Sequence, residues 1–176
     1  VFAVNARPLA VVSLPMRNLV LSSLIVLIGL VSSARADQNP NQVFKGKIVV
    51  SDKRFPMSAK SGSAYVAAIN KQAKTTFAED KEKQGWKLFF VGFLKSKLDD
   101  LEYLVRVTDI TSKPSRVVSS FEQFTSDRGE QTLTTSFTIL KKDAGVNRTL
   151  MVEILNAKKQ PLASGTFKVT GEGEKK

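Results

Sequence analysis

Few side chains in this chain could do chemistry, because its 176 residues include neither Cys nor His. That composition excludes His-based triads, thiol nucleophiles, Cys/His zinc sites and disulfide scaffolds. A serine nucleophile would therefore need a lysine as its base. Ser58 and Lys60 lie close together in the sequence SAKS, but a stretch so rich in Ser and Gly is typical of a solvated turn. We expect no catalytic residue here.

Acidic side chains are the second possible source of chemistry, as a carboxylate pair for glycoside hydrolysis or as calcium ligands. The acids that come closest in sequence are Asp99, Asp100, Glu102 and Asp109. Asp99 and Asp100 are adjacent, so on a strand they would point to opposite faces, and a turn suits them better. Calcium needs about six to eight oxygen ligands, and the sequence has no D-x-D-x-D-G loop. We therefore predict no enzyme, no metal site and no cofactor.

Basic residues are the one compositional excess, with 27 Lys and Arg against 16 Asp and Glu and a net charge of +11. Twelve of them fall within residues 38–98, against four acids. Such an excess can attract an anionic lipid, a polyanionic glycan or nucleic acid. The alternative is that these lysines only keep the domain soluble and protect its edge strands. The candidate contacts for an anionic partner are Lys45, Lys47, Lys53, Arg54, Lys71 and Lys74.

The first 36 residues have the pattern of a secretory signal. Residues 19–31 are thirteen residues without a charge, preceded by Arg17 and followed by Ala34-Arg35-Ala36. Such a pattern predicts export with cleavage after Ala36, and cleavage after Ala34 is the near alternative. A membrane-spanning helix needs about 20 apolar residues, so an uncleaved anchor is the less favoured interpretation. We expect a secreted or periplasmic protein without a transmembrane span after cleavage, for which nucleic acid is an unfavoured partner.

Hydrophobic periodicity predicts a mainly β domain over residues 43–170, between a polar leader at 37–42 and a flexible tail at 171–176. Residues 63–74 break the β pattern, because Val66, Ile69 and Ala73 are spaced as on one face of a helix. Residues 86–94 are apolar on both faces, which is typical of a central strand covered on both sides. The predicted strands are residues 43–50, 86–94, 101–110, 116–124, 131–140, 148–156 and 162–170.

Seven strands with one inserted helix predict an antiparallel, immunoglobulin-like β-sandwich. The aromatic cluster of Trp86, Phe89, Phe90 and Phe93 lies in its central strand. Aromatic side chains can form a recognition surface, but packing in the core explains them better.

The segments WKLFFVGFLKSKLDDLEYLVRVTDI and LNAKKQPLASGTFKV, within roughly the last 90 residues, resemble immunoglobulin-like β-sandwich proteins of the bacterial envelope. The likeness lies in the rhythm of the strands. It implies a periplasmic or surface location and a noncatalytic role, and it supplies no site residues. We predict an exported noncatalytic module that binds a protein or an envelope component. The alternative is a basic surface that binds an anionic polymer or a membrane, and a small hydrolase comes third.

Overall fold

The structure is a computed structural model that describes residues 37–80 and 82–171. The predicted signal at 1–36 and most of the predicted tail at 171–176 lie outside the described residues. The described chain is mainly β, as predicted. Its helices are α1 (Pro40–Val43), α2 (Gly62–Gln72) and α3 (Lys141–Ala144). Its strands are β1 (Lys47–Ser51), β2 (Thr76–Ala78), β3 (Gly85–Phe93), β4 (Glu102–Asp109), β5 (Arg116–Phe124), β6 (Thr132–Leu140), β7 (Arg148–Leu155) and β8 (Pro161–Thr170).

The strands form one mixed sheet of eight, in the order β5-β4-β7-β8-β1-β3-β6, with β2 also paired to β8. Both β1 and β2 run parallel to β8, whereas the other pairs are antiparallel. This differs from the predicted antiparallel, immunoglobulin-like sandwich, because a single curled sheet replaces two stacked ones. The alternating pattern shows which face of each strand is buried, but a sandwich and a curled sheet bury the same faces. Strand order therefore had to come from long-range pairing.

The sheet curls until its two end strands, β5 and β6, nearly close it into a barrel. Phe121 and Phe137 bring their ring centroids to 6.0 Å across this gap. The Thr135 hydroxyl donates a hydrogen bond to the Gln123 side-chain oxygen at 3.2 Å. At the far end of the gap, the Arg116 guanidinium donates to a backbone oxygen of α3 at 2.7 Å. Side chains, and not a described backbone ladder, therefore join the two end strands.

The main core lies inside the curled sheet. Trp86, Leu88 and Phe90 on β3 point into it and are at most 1% exposed. Gly92 continues the same row, and a Cβ atom built on it would lie 2.3 Å from Ile154 Cδ1. The glycine is thus required for the close approach of β7.

A second core cluster covers the opposite face of β3, as the two apolar faces of residues 86–94 predicted. Helix α2 packs Val66 and Ile69 against Val91 and Phe93. Phe44, just after α1, stacks on Phe93 with a centroid distance of 4.9 Å. The predicted central strand is therefore covered on both sides, by the curled sheet and by the helix.

The ends of α1 and α2 are fixed by side-chain caps. Ser61 accepts a hydrogen bond from the Ala64 amide at 3.1 Å, which is typical of an N-cap serine. The Asp37 carboxylate accepts two more, from the Gly62 amide at 3.1 Å and the Ser63 amide at 2.9 Å. Asn39 caps α1, which occupies residues 40–43. Strand β1 therefore begins at Lys47 and not at the predicted residue 43. The polar leader is thereby attached to the domain.

Candidate functional site

The six predicted contact residues lie in two groups at opposite ends of β1. A five-residue strand rises by roughly 3.3 Å per residue, so its ends are about 13 Å apart. Lys45 and Lys47 lie at the start of β1, whereas Lys53 and Arg54 follow its end. All six side chains are exposed: Lys45, Lys47, Lys53, Arg54, Lys71 and Lys74.

The first group gains a member that the sequence did not indicate. Gly46 adopts a positive φ of 74°, and the side chain of Lys95 lies against it. A Cβ atom built on Gly46 would lie 2.8 Å from Lys95 Cγ, so the two segments are in close contact. Lys45, Lys47 and Lys95 therefore lie near one another on the surface.

The second group, which includes Lys53, Arg54 and Lys74, lies near the end of β1, where β2 replaces β1 as the neighbour of β8. The Lys74 amide donates to the Val50 carbonyl at 2.9 Å, so the chain leaving α2 returns to the end of β1. Strand β1 pairs with β8 only at Lys47 and Ser164, and further along β8 its place is taken by β2. A cleft opens between β2 and β3 because β1 and β2 share no described ladder.

This cleft is a cavity of about 450 Å³, which we call the β2–β3 cavity. Its floor is apolar, and its rim carries three lysines and two aspartates. The floor consists of the buried Phe77, Trp86 and Leu88, and the half-buried Phe89 lies on the same face of β3 as Lys87. The charged rim consists of Asp52, Lys74, Asp80, Lys83 and Lys87.

Two of the rim lysines are held by the two rim aspartates. Lys74 pairs with Asp52, and Lys83 pairs with Asp80, each with an N···O distance of 2.5 Å. The hydrogen bond from Lys83 lowers the pKa of Asp80, and the same bond raises the pKa of Lys83. Both pairs are exposed, so water screens them and each contributes little to stability.

Lys87, the third rim lysine, is positioned differently. Its ammonium lies 5.7 Å from the centroid of the Phe89 ring, within the range of a cation–π contact. Over the part of the chain that the structure describes, Lys87 has no ion pair with a carboxylate. The charge of Lys87 is therefore held by an aromatic face and stays accessible to an anion.

Phe89 also lines a second cavity, of about 290 Å³, between the loop after β1 and the outer face of β6. We call it the β1–β6 cavity. Arg54 and the 87% exposed Met57 lie on its loop side. Two hydroxyl side chains of β6, Thr134 and Ser136, lie on its other side, whereas the side chain of the intervening Thr135 points to the opposite face, toward Gln123. Together the two cavities carry four cations, two carboxylates and the hydroxyls of Thr76, Thr134 and Ser136 around one half-buried ring.

A larger cavity, of about 830 Å³, lies beside the β2–β3 cavity and shares Lys83 with it. Lys141 pairs there with Glu79 at 2.9 Å, and the Glu79 side chain is only 7% exposed. Glu82 adds a second acid to this cavity. With Lys142 it has three lysines against two acids, the same balance as the β2–β3 cavity, but no aromatic residue lines it.

The acids singled out in the sequence do not form a cluster. Asp109 is buried, accepts a hydrogen bond from the Thr111 amide at 2.9 Å and lies 3.9 Å from the Arg148 guanidinium. Asp99, Asp100 and Glu102 are exposed. Within residues 37–80 and 82–171, no three acidic side chains come close enough to hold a metal ion.

Sequence reasoning missed Lys83, Lys87 and the half-exposed position of Phe89. The aromatic cluster was assigned to the core, which is where Trp86, Phe90 and Phe93 lie, but Phe89 is half-buried. A usable signal was present, because Lys87 and Phe89 share a face of β3 and a lysine seldom faces a core.

A comparison with models of protein families and with curated proteins finds no match for this chain. In the described ranges, no helix has both the length and the apolar character that crossing a membrane requires.

Proposed function

We propose that this chain is an exported, noncatalytic β-rich module that binds another protein or an envelope component. One observation supports a protein as the partner: strand β5, at the end of the sheet, exposes large apolar side chains. Phe124 is 71% exposed and Val117 is 53% exposed. Large apolar side chains that remain this exposed are typical of a docking surface, because a partner can bury them.

The surface around Phe124 extends beyond β5. The Thr125 amide donates to the Leu101 carbonyl at 2.8 Å, which holds Leu101 next to the end of β5. Leu101 is 42% exposed. Phe124 and Leu101 thus form an apolar pair, and an aromatic side chain of this kind often dominates the energy of an interface.

The test is recovery of a specific partner by the exported chain from envelope extract. Replacing both Phe124 and Leu101 by Ser should abolish recovery, while circular dichroism stays unchanged. Val146→Ser removes another exposed apolar side chain elsewhere and is the matched control. Recovery should also persist at high salt, because apolar contacts are not screened. Equal recovery by both variants would contradict the proposal.

The second candidate function is binding of an anionic polymer or an anionic membrane surface by the basic first half. The support is the accessible charge of Lys87 in the β2–β3 cavity, with Lys74 and Lys83 there and Arg54 in the β1–β6 cavity on the other side of Phe89. Affinity for such a partner falls steeply with salt. Charge reversal at Lys45, Lys47 and Lys53 then separates a diffuse basic surface from a defined site.

A further inference from the structure

We infer that the β2–β3 cavity and the β1–β6 cavity are two halves of one groove for an acidic polysaccharide, with Lys87 as its central contact to the sugar carboxylates or sulfates. This inference rests on the second candidate function and gives it a ligand class and a place. Phe89 lines both halves, so a chain that crosses its ring occupies both.

The positive charges around Phe89 favour binding of an anionic group at the centre of the groove. Lys87 stands over the Phe89 ring without a described carboxylate partner. Lys74 and Lys83 already have aspartate partners, but both pairs are exposed to solvent. The side chains of Lys74 and Asp52 are 50% and 42% exposed, and those of Lys83 and Asp80 are 52% and 37% exposed. Exposed pairs are weak, so a ligand anion can share these lysines at small cost. Arg54 adds a planar, bidentate donor in the other half.

The remaining lining favours a sugar over an acyl chain. Thr134 and Ser136 supply two hydroxyls in the half that contains Arg54, and Thr76 supplies one in the other half. A lipid tail would leave these polar groups without water or partners, whereas sugar hydroxyls can bond to them. The volumes of about 450 and 290 Å³ lie near the lower end of the roughly 300–1,000 Å³ typical of small-ligand sites. They suit short lengths of polymer.

The aromatic content argues against single-stranded nucleic acid. Such strands stack successive bases on several aromatic side chains. In this groove Phe89 is the half-exposed ring, while Phe77 and Trp86 in the floor are at most 5% exposed. One ring can contact the apolar face of one sugar, but it gives no platform for a run of bases.

The experiment measures binding of dextran sulfate to the exported chain, with uncharged dextran of equal length alongside. Lys87→Gln should weaken binding of dextran sulfate by about 5-fold to 10-fold and lower its salt dependence by about one counterion. Lys158→Gln is the matched control, because it removes the same charge from the exposed turn between β7 and β8. It should weaken binding less than about 2-fold. Phe89→Leu should weaken binding without changing the salt dependence.

The outcomes distinguish binding in this groove from general binding of anions by the basic surface. Equal losses for Lys87→Gln and Lys158→Gln would overturn the groove while leaving binding of anions by the basic surface in place. Absence of salt-sensitive binding to dextran sulfate would overturn both. Tighter binding to phosphatidylglycerol vesicles or to oligothymidylate, at equal charge, would overturn the polysaccharide as the ligand. Binding that is strongest for dextran sulfate and lost with Lys87 supports the inference.

Discussion

The ring of Phe121 on β5 lies 6.0 Å from the ring of Phe137 on β6, and this contact joins the two end strands of the sheet. Phe137 also lies 5.8 Å from Phe90 on β3 and 6.5 Å from Phe167 on β8. The aromatic contacts therefore run from the end strands into the centre of the core.

Phe121→Ala should destabilise the domain because the substitution removes this contact across the gap. A fully buried Phe→Ala change costs about 3–5 kcal/mol, so the partly buried Phe121 should cost about 1–3 kcal/mol in the free energy of unfolding. Urea unfolding followed by Trp86 fluorescence measures the loss. Phe124→Ala is the control on the same strand, and its 71% exposed ring should cost less than about 0.5 kcal/mol. Equal losses would mean that the Phe121 contact does not hold the gap together.

Gly92→Ala should destabilise the domain through a clash with β7. The new Cβ would lie 2.3 Å from Ile154 Cδ1, and overpacking of this kind costs about 1–3 kcal/mol. Ile154→Val removes the clashing methyl group, so the double variant should recover part of the lost stability. A double-mutant cycle by chemical denaturation measures the coupling. Strictly additive effects would show that Gly92 and Ile154 are not in contact.

Asp37 should make stability depend on pH at the acidic end. Backbone hydrogen bonds from Ser63 and then Gly62 lower the pKa of Asp37 below 3.8. A carboxylate whose folded pKa is lowered stabilises the fold above its unfolded pKa, and this contribution is lost as pH falls through the folded value. The melting temperature of Asp37→Asn should therefore lie below that of the parent above pH 3.8, and the two should converge as pH falls through the lowered pKa of the folded state.

Asp127→Asn provides the comparison for that titration, since it changes an exposed aspartate of the turn before β6. Its melting temperature should follow that of the parent over the whole pH range. If Asp37→Asn also follows the parent, the carboxylate of Asp37 does not stabilise the start of α2.

The sequence predicted the strands more reliably than their arrangement. Leu133, Phe137 and Ile139 alternate with hydroxyl residues, and the structure buries all three on β6. That signal is local, because successive side chains of a strand point to opposite faces. Strand β2 has only three residues and owes its place to pairing with β8, so no local pattern indicated it.

The candidate groove could not be predicted from the sequence either, because it depends on long-range strand pairing that leaves no local pattern. Its β2–β3 half exists because β2 and β1 lie beside different parts of β8. Its other half needs the loop that carries Arg54 to lie over β6, far along the chain. Arg54 and Lys74 were predicted as contacts from charge alone. Lys87 could be recognised as a candidate contact only once the structure showed its position over the Phe89 ring.

The most direct test of the proposed binding role is photo-crosslinking at single positions in the living cell. A photoreactive phenylalanine analogue at position 124 should give a discrete crosslinked species outside the cytoplasm, because that ring lies at the centre of the proposed docking surface. The same analogue at position 146 should give none. No crosslinked species from position 124, or the same species from both positions, would contradict the proposed function.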